Sequence, residues 1–255
     1  MKNNHSQAAE INNRRTYDLK NFVGYLIFFF PLLSQAQYAH DLYPSKDIII
    51  KYHNSWTKQH YIERIEEFKR NPLSTGSIVF LGNSITEQGN DWGQKFGYSN
   101  LINRGISGDV TDGLLMRLDE LYFFKPKAIF VLIGLNDLWN LRRGKGIPST
   151  TYISNNILKI VKNINIGSPE TSVFIQTILP TRNNFFVDDI NEINNFLKRN
   201  NDELDFELID LHSSFVNSEG LLKIDLTYDD AHLNKKGYDL WVECIKDIIN
   251  SVQLD

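Results

Sequence analysis

The sequence predicts a three-layer α/β/α sandwich built on a five-stranded parallel sheet. Short apolar runs alternate with longer stretches whose apolar residues recur at helical spacing. Polar turns follow several of those runs at their carboxyl ends, where open parallel sheets place their ligands. Within the body of the chain there is no internal repeat, low-complexity linker or charge run, which predicts one domain over residues 43–252.

The elements follow in order. Trp56 to Lys69 carries Tyr61, Ile65 and Phe68 on one face and stops at Asn71-Pro72, an amphipathic helix with a proline terminator. Ser77 to Leu81 is the first strand, short and apolar, and delivers Gly82-Asn83-Ser84. Leu101 to Asn103 is a second short strand, leading into Arg104-Gly105-Ile106-Ser107-Gly108-Asp109, a turn able to bring backbone N–H groups close to a ligand. Val110 to Leu121 reads as one helix with Leu114, Leu118 and Leu121 inward. Ala128 to Ile133 is continuously apolar, as a central parallel strand requires, and ends in Gly134-Leu135-Asn136-Asp137. A helix over Ile153 to Ile164, a strand over Ser172 to Leu179, a helix over Asp189 to Leu204 and a strand over Phe206 to Leu211 complete the alternation. Tyr238 to Val252 closes the chain as a helix with Leu240, Trp241, Ile245, Ile248 and Ile249 inward.

Composition removes several classes. A chain of 255 residues with 42% apolar and 12% aromatic content folds around a core rather than remaining disordered. Its formal charge of −4, without a basic run, argues against a nucleic-acid partner. The lone Cys244 allows no internal disulfide and sits in a helical apolar pattern, which reads as a buried inert thiol. No metal-ligand spacing, phosphate loop or dinucleotide fingerprint is present, so no cofactor is expected; His53 and His60 lack the i, i+4 spacing of a helical metal pair.

The amino terminus has a different character. Arg14, Arg15 and Lys20 precede an apolar run from Phe22 to Leu33, followed by Ser34-Gln35-Ala36. That is the order of a secretory signal peptide over residues 1–36, with cleavage after Ala36 and a secreted or periplasmic product. The run spans roughly 18 Å as a helix against about 30 Å of hydrocarbon, too short for a comfortable membrane span. A membrane anchor is the alternative reading. The segment holds four cations and two carboxylates, so its removal would leave a chain of −6.

Function turns on Ser84. Ser84-Ile85-Thr86-Glu87 fits a capping box, S-x-x-E, in which the serine merely satisfies a free helix N–H, and on this stretch alone capping is the stronger reading. Three further blocks reverse that order: Ser107-Gly108-Asp109, Gly134-Leu135-Asn136-Asp137 and Asp229-Asp230-Ala231-His232. In a parallel sheet the first two share an edge with Ser84. A hydrolytic serine needs a base, and the base needs an orienter; Ser84, His232 and Asp229 supply these. An oxyanion needs preorganised donors, which the N–H groups of Ser84 and Gly108 and the Asn136 amide can provide. The chain lacks the second glycine of G-x-S-x-G, so the nucleophile elbow of the α/β-hydrolases is not supported.

These blocks, in this order over residues 77–250, resemble the SGNH, or GDSL, hydrolases. The resemblance implies a flavodoxin-like sandwich, Ser84 as nucleophile, His232 as base, Asp229 rather than Asp230 as its partner, and Ser84, Gly108 and Asn136 as the oxyanion hole. Asn83 stands where the GDSL pattern has Asp, a change at a turn position outside the triad. The Gly-Asn-Ser-Ile-Thr start and the Asn-Arg-Gly-Ile-Ser-Gly-Asp block are similar to the platelet-activating-factor acetylhydrolase branch and to bacterial sugar O-acetylesterases. The expectation is therefore a secreted serine esterase acting on short acyl, above all acetyl, esters of a small substrate such as a carbohydrate. The rivals are a lysophospholipase, thioesterase or acyltransferase on the same triad, or an idle binding module. Arg104 and Trp92 are candidate substrate contacts in the edge loops, with Arg182 nearby; Asp109 and Asp137 brace the loops, and His212 with Asp210 is structural. With Ser84 catalytic, Glu87 is expected to be an ordinary first-turn carboxylate.

Overall fold

A computed structural model describes residues 42–201 and 204–254. The expected signal segment, residues 1–36, lies outside the described residues. All five strands run parallel: β1 (Ile78–Gly82), β2 (Leu101–Gly105), β3 (Ala128–Leu132), β4 (Ser172–Gln176) and β5 (Glu207–Ile209), in the order β2-β1-β3-β4-β5. β1 lies between β2 and β3, so successive connections leave it in opposite directions. Parallel α/β sheets bind their ligands beyond the carboxyl ends of the strands where the strand order reverses in this way.

Among the described residues the connections carry the helices α1 (Ser55–Arg70), α2 (Ser84–Glu87), α3 (Trp92–Phe96), α4 (Thr111–Leu115), α5 (Asp119–Phe124), α6 (Leu135–Arg142), α7 (Thr150–Gly167) and α8 (Val187–Arg199). A short α9 (Leu211–Phe215) and the long α10 (Lys235–Leu254) complete the set. α10 packs with α3, and α7 packs with α5 and α8, the two helical layers that right-handed connections are expected to give. On the first face Phe80, Phe130 and Phe174 are in register on three adjacent strands, with ring centroids 5.3 and 4.6 Å apart. Trp92 stacks on Phe80 at 4.1 Å, and Trp241 of α10 packs edge-on to Trp92 at 4.9 Å. Such rings supply much of the apolar burial that holds the layer.

Where element boundaries differ from the sequence expectation, a side-chain partner explains the difference. α1 starts at Ser55 because Asn54 caps it reciprocally with Thr57. β2 runs two residues past Asn103 because Arg104 has a buried partner in Glu120 and can stay in the strand. The single helix expected over Val110 to Leu121 is two short ones, α4 and α5. The break sends the Arg117 guanidinium inward, where it donates to Gly82 O at 3.0 Å and Arg104 O at 2.8 Å. β4 ends at Gln176, whose amide oxygen accepts the Trp241 indole N–H at 2.7 Å.

Candidate active site

Ser84 opens α2 directly after β1, but it does not cap the helix. Asn83 does so, its side chain accepting the Ile85 N–H at 3.0 Å. The capping-box reading that the isolated stretch allows does not apply: Asn83, standing where the GDSL pattern has Asp, supplies the cap and leaves the Ser84 hydroxyl for another partner. Ser84 is nearly buried, and its hydroxyl lies 2.9 Å from His232 Nε2. On the far side of the ring, His232 Nδ1 lies 2.8 Å from Asp229 Oδ2. With Nδ1–H donating to the carboxylate, Nε2 holds the lone pair that faces the serine proton.

The His232 loop is tied down by its own backbone. Asp229 Oδ1 accepts the N–H groups of Ala231 at 2.7 Å and His232 at 2.6 Å. Thr227 Oγ1 donates to Asp229 O and His232 O, and the Asn234 amide donates to Asp225 O and Thr227 O. Partial burial alone would raise the Asp229 pKa, but the Ala231 and His232 N–H groups and the imidazole hold it below the ordinary aspartate value. Asp230 makes no such contact with the ring; its carbonyl accepts the Arg182 N–H at 2.7 Å. Of the two neighbouring acids, Asp229 is the one joined to His232.

Beyond β2, Gly108 adopts a left-handed φ of +81°, and a Cβ there would sit 2.3 Å from Thr57 Cγ2, so the position demands glycine twice over. Beyond β3, Asn136 lies in the first turn of α6, and its amide donates to Asp109 O at 2.9 Å. Among the described residues neither the Ser84 nor the Gly108 N–H donates to another protein group. The structure thus gathers Ser84, Gly108 and Asn136 at the adjoining ends of β1, β2 and β3, and brings His232 and Asp229 to the same edge. An imidazole so placed can accept a serine proton, and the three donors can face a carbonyl oxygen that gains charge.

Asp109 and Asp137 are braces. Asp109 is fully buried and pairs with Arg117 at 2.9 Å, with His53 Nε2 3.5 Å from its other oxygen. Asp137 accepts both the N–H and the hydroxyl of Thr111, and complete burial pushes its pKa up to about 7. Asp210 likewise caps α9 and pairs with Lys198.

The two expected substrate contacts are corrected. Arg104 is a strand residue, 4% exposed, committed to Glu120 at 2.8 and 2.9 Å and to Asn71 O, and stacked over Phe68. Trp92 is fully buried against Phe80 and donates to Thr86 O at 3.2 Å, so it supports α2 from within the core. Arg182 is held by Leu222 O. Residues not anticipated from the sequence line the rim instead. Tyr228 lies parallel to His232 at 6.0 Å and donates to Gln88 Oε1 at 2.6 Å, bridging the His232 loop to α2. Trp56, 59% exposed, stacks on His60 at 5.2 Å and lies close to Gly108. Tyr228 adjoins the Asp-x-x-His block, which was a signal; Trp56 and His60 lie on α1, outside every block.

Among the described residues no helix is long and apolar enough to cross a membrane, and no group of three or more His, Cys, Asp or Glu is placed to hold a metal ion.

The chain is similar over 169 residues to the platelet-activating factor acetylhydrolase IB subunit alpha2 of Rattus norvegicus, at 29% identity, covering 63% of this chain and 70% of that one. Its fold is shared with a GDSL-like lipase from Bacteroides thetaiotaomicron, with a TM-score of 0.62 and 21% identity over 75% of this chain and 97% of the other. It is also shared with an acetylxylan esterase from Geobacillus stearothermophilus, with a TM-score of 0.57 and 17% identity over 71% and 95%. The family description "GDSL-like Lipase/Acylhydrolase family" matches residues 80–240, which takes in Ser84, Gly108, Asn136, Asp229 and His232 but not α1. The chain belongs to the GDSL-like lipase/acylhydrolase family and is a carboxylic ester hydrolase.

Proposed function

We propose that the protein is a serine esterase that removes short acyl groups, acetyl first among them, from a carbohydrate outside the cytoplasm. The observation that carries the chemistry is the unbroken line from Ser84 Oγ to His232 Nε2 at 2.9 Å and from His232 Nδ1 to Asp229 at 2.8 Å. Ser84 Oγ attacks the ester carbonyl carbon while His232 Nε2 takes the hydroxyl proton and Asp229 keeps the imidazolium oriented. The carbonyl oxygen, now an alkoxide, lies against the N–H groups of Ser84 and Gly108 and the free N–H of the Asn136 amide. Collapse expels the alcohol, which leaves with the proton from His232. Water then repeats the sequence on the acyl-enzyme and releases the acid.

The acetyl preference draws support from the acetylhydrolase relative, and the carbohydrate from the exposed Trp56 and Tyr228 rings, flat faces of the kind that pack against sugars. Export rests on the order of residues 1–36, with cleavage after Ala36 and a domain over residues 43–252. Transfer to a second alcohol is the rival fate of the acyl-enzyme.

The test is a panel of acetylated sugars and aryl esters of rising chain length, with free acid and any transferred product measured. Fast release of acetate from a sugar, lost in Ser84→Ala, is the expected result. Turnover unchanged in Ser84→Ala would refute the site, and a preference for long-chain or lysophospholipid esters would refute the substrate. Mass measurement of the native protein's amino terminus tests export; an intact Met1 would refute it.

A further inference from the structure

Glu87 lies one helical turn beyond Ser84, and its carboxylate crosses from α2 to the loop that carries Gly108. Its Oε2 accepts the Ser107 N–H at 2.5 Å. His60 Nε2 lies 3.0 Å from both carboxylate oxygens, and Arg64 Nε lies 3.4 Å from Oε1 while donating to Gly105 O at 3.2 Å. Burial alone would raise the Glu87 pKa, but the Ser107 N–H, His60 and Arg64 hold it below the ordinary glutamate value. β2 meets α2 without slack here, since a Cβ on Gly105 would fall 2.2 Å from Glu87 N.

A carboxylate one helical turn from Ser84 would oppose a developing oxyanion by repulsion if its charge stood unpaired. Here Arg64 of α1 offsets its charge, His60 Nε2 contacts both of its oxygens, and Oε2 also accepts one backbone N–H. The peptide that follows Ser107 carries the Gly108 N–H. Fixing the Ser107 nitrogen therefore restricts where that donor can point, in a turn that the Asp109 N–H closes onto Ile106 O at 3.0 Å. An oxyanion donor stabilises most when it has no reorganisation left to do.

We propose that Glu87, held by His60 and Arg64, is a positioning residue for the Gly108 N–H, so that α1, outside the family match, completes the oxyanion hole. The inference rests on the reading of Gly108 as an oxyanion donor. It is tested on the full chain with an aryl acetate. Glu87→Ala is expected to lower kcat on the order of tenfold to a hundredfold with KM within about twofold of wild type. Glu87→Gln, whose amide oxygen can still accept the Ser107 N–H, should recover to within about fivefold of wild type. His60→Ala, which loosens the carboxylate without removing it, should lower kcat by a smaller factor with KM unchanged, and it serves if Glu87→Ala fails to fold. Unchanged kcat in the alanine variants, or a rise in KM alone, would overturn the proposal, as would equal losses in Glu87→Ala and Glu87→Gln. If Ser84→Ala is inactive while Glu87→Ala runs at full rate, this inference fails alone; if Ser84→Ala is active, the underlying reading fails.

Discussion

The Asn136 side-chain amide donates to the backbone oxygen of Asp109 over 2.9 Å, which ties the end of β3 to the turn after β2 and leaves the second amide hydrogen of Asn136 for a ligand. The Asp109 side chain is itself fixed by Arg117, so the donor's orientation descends from a buried ion pair. Asn136→Ala should lower kcat by about 10²–10³ with the protein still folded, measured on an aryl acetate. A loss appearing in KM alone would mean that the amide binds substrate without stabilising the transition state.

The contact between Asp229 and His232 separates two neighbouring acids. Asp229→Asn should lower kcat by about 10²–10⁴, because the amide no longer selects the tautomer with Nδ1–H. Asp230→Asn should stay within about twofold of wild type, since its carboxylate makes no contact with the ring. Because the folded protein holds Asp229 below its ordinary value of 3.8, the wild type keeps the carboxylate throughout the neutral range. Steady-state rates of wild type and both variants at about neutral pH check both points.

Asp137 predicts a pH dependence of stability. Its pKa rises from 3.8 to about 7 on folding, so the folded state favours the protonated acid. The stabilisation from protonation is fully present below 3.8 and is lost as pH rises towards about 7, the opposite of an ion-paired carboxylate. Asp137→Asn should therefore gain stability relative to wild type on the order of 1 kcal/mol or more at high pH compared with low pH. Urea midpoints of both proteins across that range measure the difference, and a constant offset would contradict it.

Arg104 predicts a stability phenotype in place of a binding one. Removing one member of its buried pair with Glu120 should destabilise by about 3–5 kcal/mol, because the Glu120 carboxyl group would be left buried without its guanidinium partner. Arg104→Met should show this in denaturant unfolding, while the folded fraction keeps its KM.

Much of the fold was legible because β1 and β3 are short apolar runs and each long helix keeps one apolar face; Tyr61, Ile65 and Phe68 are buried as that spacing implies. Ser84, His232, Asp229, Gly108 and Asn136 were legible because hydrolytic chemistry places specific residue types beside tight turns, and those turns end neighbouring strands. Glu87, His60, Trp56 and Tyr228 were not, because their roles come from approaches between distant segments: α1 to the Gly108 turn, and the His232 loop to α2. Arg104 misled for the same reason. An arginine after a short strand looks available until Glu120, sixteen positions on, is found across it.

The stack of Trp92 on Phe80 has a spectroscopic corollary. Trp92 and Trp241 are sealed in the aromatic layer beneath the site, whereas Trp56 stands in solvent at its mouth. Their emission should accordingly fall into a blue-shifted and a red-shifted population. Quenching by iodide would reach Trp56 first, and with the half-buried Trp139 replaced by phenylalanine, occupancy of the mouth and melting of the interior can be followed as separate optical signals.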